Sequence, residues 1–440
     1  MVIPALCFKR AGIRVCIKII ITRSMKKKYL MIAALALWGS TAGALAQKKD
    51  FSYKIYGQIR TDLFYNSRKN AETVDGLFYM YPQDILPDTD GKDLNAHANG
   101  SFYAIYTRLG LDVKGPKIFN NVKTSAKVEA DFRGSGSTFS TVRLRHAYFN
   151  LDFGHSALLL GQTWHPMYGS VAPSIMNLNM GAPYQPFGRA PQIRYQYKAT
   201  HFLLTAAALW QSQYKSVGPK TNKMGETATA KSQDFIKNSC VPEFYLGADY
   251  RDLGLIVGAG LHVSSLTPRT QSENANGVFK VNERVTALSG EAHVKYTADK
   301  VFFAAKSVLS SNLTMTSGLG GYGVTSTDQR TGEQDYTPLR VSHTWMSFMY
   351  GGRLKAGVFG GYLKNLGAKD EVKNLIGTGT NIDQLTTATA EMTYNLPHWK
   401  FGAEYSWCGV WYGKNSEKGK VVDTHLVKNN RIVFSALFMF

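Results

Sequence analysis

Arg60, Arg108, Lys127, Arg133, Arg143, Arg145 and Arg194 fall in stretches where polar and apolar residues tend to alternate, with Asp131 among them and Arg189 just before the last. Alternation with a period of two gathers one set of side chains on one face of a strand. Basic groups collected on such a face would attract anions, and the guanidinium fork suits carboxylates because it meets two oxygens at once. Lining a narrow aqueous passage, they would form an anion filter. Paired with Asp62, Asp112, Glu129 and Asp131, the same ladder would also stiffen a wall.

Other chemistry finds little support. The sequence holds no H-E-x-x-H, no G-x-S-x-G and no C-x-x-C, so the common zinc-protease, serine-hydrolase and dithiol signatures are missing. Gly318 to Gly323 spells G-x-G-x-x-G, but no helical pattern follows, and a dinucleotide site needs one. The ten histidines are scattered. His262 and His293 could face an aqueous lumen, yet neither has partners at metal-ligand spacing, so they read as solvated or interfacial. No cofactor and no metal are expected, and the chain does not read as an enzyme.

The elements that would carry the arginines are strands. From Phe51 to Tyr65, the odd positions Tyr53, Ile55, Ile59, Leu63 and Tyr65 are apolar or aromatic, while Lys54, Gln58, Arg60 and Asp62 alternate with them. Val122 to Phe132 alternates more cleanly, against Lys123, Lys127, Glu129, Asp131 and Arg133. That density of charge on one strand face requires continuous water. Val142 and Leu144 alternate with Arg143 and Arg145, but past His146 the apolar phase moves to Ala147, Phe149 and Leu151. A phase switch inside one strand implies a bulge or a change of surroundings such as a subunit contact.

The same rule gives about sixteen strands between residues 51 and 440, each of the length a tilted membrane strand needs. Short connections near 154–156, 198–201, 250–253, 297–300, 350–353 and 395–398 alternate with long ones near 66–100, 165–190, 212–241, 265–281, 312–337, 365–383 and 409–427. Short turns on one rim and long loops on the other is the pattern of a transmembrane β-barrel. The long loops, rich in Gly, Ser, Thr, Asn and Lys, read as solvated. The last stretch, RIVFSALFMF (431–440), ends on aromatic residues, whereas a soluble domain rarely leaves such an end in water.

Residues 25–46 read as a secretory signal peptide: Lys26 to Lys28, an apolar run from Tyr29 to Trp38, then Ala44-Leu45-Ala46. Residues 1–24 precede a complete signal and read as a start assigned too early, which leaves 47–440 as the working chain. Residues 1–46 carry eight Lys/Arg and no Asp/Glu, so their removal lowers the formal net charge from +20 to +12. An exported basic chain points to anions or anionic lipid rather than to nucleic acid. No stretch is apolar for the roughly 18 residues a membrane helix requires. Beyond the leader only Cys240 and Cys408 remain, and a disulfide between them is possible.

The segments RLRHAYFNL, LLLGQTW and GRAPQIRYQY resemble the DcaP-like (dicarboxylate-channel) branch of the 16-stranded porins of Gram-negative outer membranes. The architectural likeness covers most of the chain and is specific only over roughly 130 to 200. The resemblance implies a homotrimer in the outer membrane, in contact with its lipid and lipopolysaccharide. It also implies a third long loop folded into the barrel. From Trp164 to Arg194 this chain has no Asp or Glu, unlike cation-preferring porins, which place acids on that loop. Met176, Leu178 and Met180 would pack the loop on the wall, and Pro173, Pro183, Pro186 and Pro191 would stiffen it. Strand seven, His201 to Gln211, is apolar on both faces and would suit a subunit contact. The expectation is an all-β, outer-membrane diffusion channel for small hydrophilic solutes that favours anions such as carboxylates. The alternative is a surface antigen or adhesin that uses the barrel as an anchor.

Overall fold

In the computed structural model the alternating segments are the strands of one closed antiparallel barrel. The structure describes residues 6–10, 13–17, 50–73, 77–119, 121–134, 141–220, 223–224 and 228–440. In chain order the barrel strands are β1 (Ser52–Asn66), β2 (in two pieces, Asn99–Tyr103 and Arg108–Lys114), β3 (Lys123–Gly134), β4 (Thr141–Asp152), β5 (Ser156–Trp164), β6 (Arg189–Lys198), β7 (Phe202–Leu209) and β8 (Glu243–Asp252). Then follow β9 (Leu255–Leu266), β10 (Val285–Thr297), β11 (Val301–Ser311), β12 (Arg340–Gly351), β13 (Leu354–Gly367), β14 (Ile382–Leu396), β15 (Trp399–Asn415) and β16 (Val421–Met439). Each strand pairs with the next, and β16 closes on β1 from Arg431↔Asn66 to Met439↔Gln58. Sixteen strands put both ends of the barrel on one rim, the rim of the short turns.

The alternation sorts the faces. On β1, Ile55, Ile59 and Leu63 are exposed on the outside, while Asp62 and Asn66 are buried on the inside. Backbone groups in lipid must be paired, and a closed barrel leaves no free edge. Tyr197, Tyr296, Tyr350 and Tyr394 stand exposed near the short turns, as an interfacial aromatic girdle does. At the same rim the Phe440 N–H and C=O pair with Gly57 (3.1 and 2.9 Å), and Trp399 packs against Phe438.

The chain divides into two units, Met1–Ser52 and Tyr53–Phe440. The first contains a two-stranded antiparallel hairpin, Leu6–Arg10 against Ile13–Ile17. The expected signal peptide at 25–46 lies outside the described residues.

The structure differs from the sequence reading in three places. First, β2 is broken at 104–107, where Ile105 and Tyr106 turn into the lumen and are buried with Phe64, Leu77, Met176 and Leu178. Second, β15 and β16 run on as one long hairpin through residues expected to be loop. Their inner face is apolar there too, because Cys408, Val410 and Tyr412 pack under Tyr79 and Tyr81, and this hides the period of two.

Third, the long loops are not simply solvated. Gly320–Thr327 pairs with both Gln334–Pro338 and Asn374–Thr378 in a three-stranded sheet. Val217, Phe235, Leu266, Tyr322, Val324 and Ile376 form a buried cluster there. The glycine-rich run belongs to that sheet: a side chain on Gly321 (φ +152°) would collide with the Ile376 carbonyl across the strand. On β7 the inward residues Ala207 and Leu209 pack on Met167, Val308 and Met315, while Phe202, Leu204 and Trp210 stand exposed on the outside.

Candidate permeation site

The third long loop, 165–188, contains no Asp, Glu, Lys or Arg and folds into the barrel. Its backbone is held by side chains that the strands point inward. Lys306 on β11 donates to the Met167 carbonyl (2.5 Å), and Arg60 on β1 donates to the Met176 carbonyl (2.6 Å). Trp345 on β12 donates to Gln185 (2.9 Å). Tyr184 lies in the gap left by Gly361 and Met176 in the gap left by Gly402. Met176 and Leu178 pack on Phe64 and Val433, as expected. Met180 instead faces the cavity described below. The first loop enters as well: Asn179 donates to the Tyr79 carbonyl (2.8 Å), and Phe78 meets Phe187 at 5.1 Å.

Beside the loop, against β1 to β5, lies a cavity of about 500 Å³. Arg60, Arg108, Lys127, Glu129, Arg145 and His146 line its wall, with Tyr106, Trp164, Tyr168 and Phe187 among the other lining residues. Trp164 and Tyr168 are stacked at 4.1 Å.

Why three polar side chains of β4 crowd one place follows from a bulge. Glu129 pairs with His146 and Ala130 with Leu144, so Arg145 is an extra residue in the ladder. Arg145 and His146 are therefore both buried on the lumen side, whereas Val142 and Leu144 are exposed outside. This is the origin of the phase switch seen in the sequence.

Charge pairing on the wall is dense. Arg143 grips Asp131 with two hydrogen bonds (3.0 and 2.7 Å). Arg145 bridges Glu129 (2.5 Å) and Asp131 (3.0 Å). Lys127 pairs with Asp112 (2.9 Å), and Arg60 with Asp62 (2.7 Å). Arg108 stands 3.5 Å from Glu129 and donates to the Tyr106 hydroxyl (2.5 Å). Among the described residues, Arg133 and Arg189 have no carboxylate within ion-pair distance, although both are buried. They rest on aromatic faces instead: Arg133 on Tyr106 (4.8 Å), and Arg189 on Trp164 (4.8 Å) and Tyr214 (5.3 Å). Cation–π contact is one way to accommodate a desolvated guanidinium. Arg194 lies off the cavity lining and caps the Trp164 carbonyl (2.5 Å). The eight basic residues thus face four carboxylates, Asp62, Asp112, Glu129 and Asp131, and the wall is positive in balance.

Sequence reasoning missed Tyr106, Tyr168, Phe187 and Tyr214, which sit where no alternation marks an inner face. It also misjudged the histidines. His262 is fully buried with its Nε2 3.0 Å from Glu243, and His165 Nε2 lies 3.6 Å from the same carboxylate. The partners come from separate elements, so no sequence spacing reveals them. His165, Glu243 and His262 are close enough to hold a metal ion. However, the Met167 N–H donates to His165 Nδ1, which leaves that ring's proton on Nε2, the atom facing the carboxylate. Glu243 accepts from His262 and Gln211, and His165 stands beside this pair at the root of the third loop. His293 pairs with Asp249 (3.2 Å). Cys240 is exposed and Cys408 buried, and both are free thiols.

Residues 40–219 match the family described as DcaP outer membrane protein. No curated protein sequence matches the chain. Among solved structures, the outer membrane channel DcaP of Acinetobacter baumannii superposes with a TM-score of 0.61 at 17% identity, covering 90% of this chain and 99% of the other. The trimer form of OmpT, an outer membrane protein of Vibrio cholerae, superposes at 0.53 with 13% identity, over 89% and 100%. An anion-selective porin from Comamonas acidovorans does so at 0.50 with 10% identity, over 89% and 100%. The chain has the porin fold and resembles the DcaP outer membrane proteins. Its place is the outer membrane of a Gram-negative bacterium.

Proposed function

We propose that residues 47–440, released from a cleaved signal peptide, form a passive diffusion channel for small hydrophilic solutes that favours anions such as carboxylates. The observation that carries this reading is the cavity beside the third loop. Four basic side chains, Arg60, Arg108, Lys127 and Arg145, line it, and the loop opposite has no acid to oppose them. A solute carboxylate leaving water meets guanidinium donors there, in a low-dielectric passage that focuses their field. No bond is made or broken, so the channel needs no cofactor and no catalytic residue. The trimer form of OmpT and the anion-selective Comamonas porin support a trimer and an anion preference here.

Swelling of liposomes that carry the protein tests the reading. A dicarboxylate should enter faster than a neutral sugar of similar size, and a diamine slowest. A diamine entering fastest would refute the anion preference. The second reading, a surface antigen anchored by its barrel, draws on the folded loop sheet. It predicts no swelling with any of the three solutes.

A further inference from the structure

Near the closure of the barrel, where β15 pairs with β16 and β16 with β1, two carboxylates occupy one small space. Glu391 on β14 and Glu404 on β15 are direct cross-strand partners, and both are buried. The Met176 N–H at the loop tip donates to one oxygen of each, at 2.7 and 2.8 Å. The Asn177 N–H donates to the same Glu404 oxygen at 3.0 Å. The Met176 side chain lies over the bare face of Gly402, two residues before Glu404. The tip of the third loop is thus docked at this pair.

A single N–H cannot hold two buried anions together, since adjacent carboxylates in one site do not both ionise. With one proton between them, the two carboxyls hydrogen-bond each other and still accept from the loop. The charged groups around the pair are Arg60 from β1, Lys400 from β15 and Arg431 from β16, with Lys355 on β13 behind Lys400. Arg60 is itself engaged with Asp62 and the Met176 carbonyl. The third loop contributes no charge.

We propose that Glu391 and Glu404 form a proton-sharing latch that holds the third loop across the lumen and releases its tip as the pH rises. With one proton, or with two, both oxygens can accept the loop N–H groups and the latch holds. When the last shared proton leaves to water, two anions face each other. The side chains must part, and the Met176 N–H loses one of its acceptors.

Hydrogen exchange of the Met176 and Asn177 amides tests this, expressed as protection relative to intrinsic exchange at each pH. Reading it needs no current through the barrel, so its outcome stands apart from the transport reading. In the wild type, protection should be level at acid pH and then fall by about tenfold per pH unit once the shared proton titrates. In Glu391→Gln and in Glu404→Gln, the amide donates permanently in place of that proton, and protection should be level throughout. Level protection in the wild type would overturn the latch. So would a fall that persists unchanged in both variants.

Discussion

Arg108→Gln probes the positive wall most cleanly. The Arg108 side chain lines the cavity and is 19% exposed. Its loss leaves no buried acid alone, because Glu129 keeps Arg145 at 2.5 Å, so the strands should form as before. An anion in the cavity would lie about 6 Å from the missing charge, which at an effective dielectric of about 20 is worth about 3 kcal/mol. Screening over a Debye length of about 8 Å reduces this to about 1.3 kcal/mol. That corresponds to about a tenfold fall in the anion-to-cation permeability ratio, read from reversal potentials in planar bilayers. Arg194→Gln is the control: its guanidinium caps the Trp164 carbonyl off the lining, and it should move the ratio little. An unchanged ratio in Arg108→Gln, or equal shifts in both variants, would refute the filter.

Asp131→Asn should raise the anion preference while costing stability. Asp131 is fully buried between Arg143 and Arg145, and breaking such a pair costs about 3 kcal/mol or more, to be read as a lower unfolding midpoint. Deleting Phe440 removes both backbone bonds to Gly57 and one ring of the aromatic rim, so less folded barrel should reach the membrane; normal surface levels would contradict that. In the first loop, burial pushes the Asp93 carboxyl up, but the Leu86 and Asn95 N–H groups and the Arg68 guanidinium together hold it below the usual range. Its contribution is therefore present above the ordinary carboxylate range and lost as the pH falls through the lowered value. Proteolysis of the 83–95 segment should accelerate at acid pH in the wild type and lose that pH dependence in Asp93→Asn.

The barrel could be read in the sequence because lipid outside and polar lumen inside impose a period of two on each strand. Even the bulge at Arg145 was visible, as the phase change past His146. The reading failed wherever both faces of a strand meet apolar matter, as on β15 beyond Cys408, where a loop replaces water inside. Loop sheets built from Gly, Ser and Thr with a few apolar anchors, such as Tyr322 and Ile376, give no periodic signal. Ion-pairing residues on the wall could be named from alternation. The aromatic supports of Arg133 and Arg189 could not, because they come from loops that fold inward. Nor could the meeting of His165, Glu243 and His262, or of Glu391, Glu404 and Met176, which depends on register across strands.

The central claim is tested most directly by the reversal potential of the purified, folded protein in a planar lipid bilayer under a salt gradient. Stable conductance with a reversal potential displaced toward the anion equilibrium potential is the predicted result. Displacement toward the cation equilibrium potential, or no conductance at all, would contradict it.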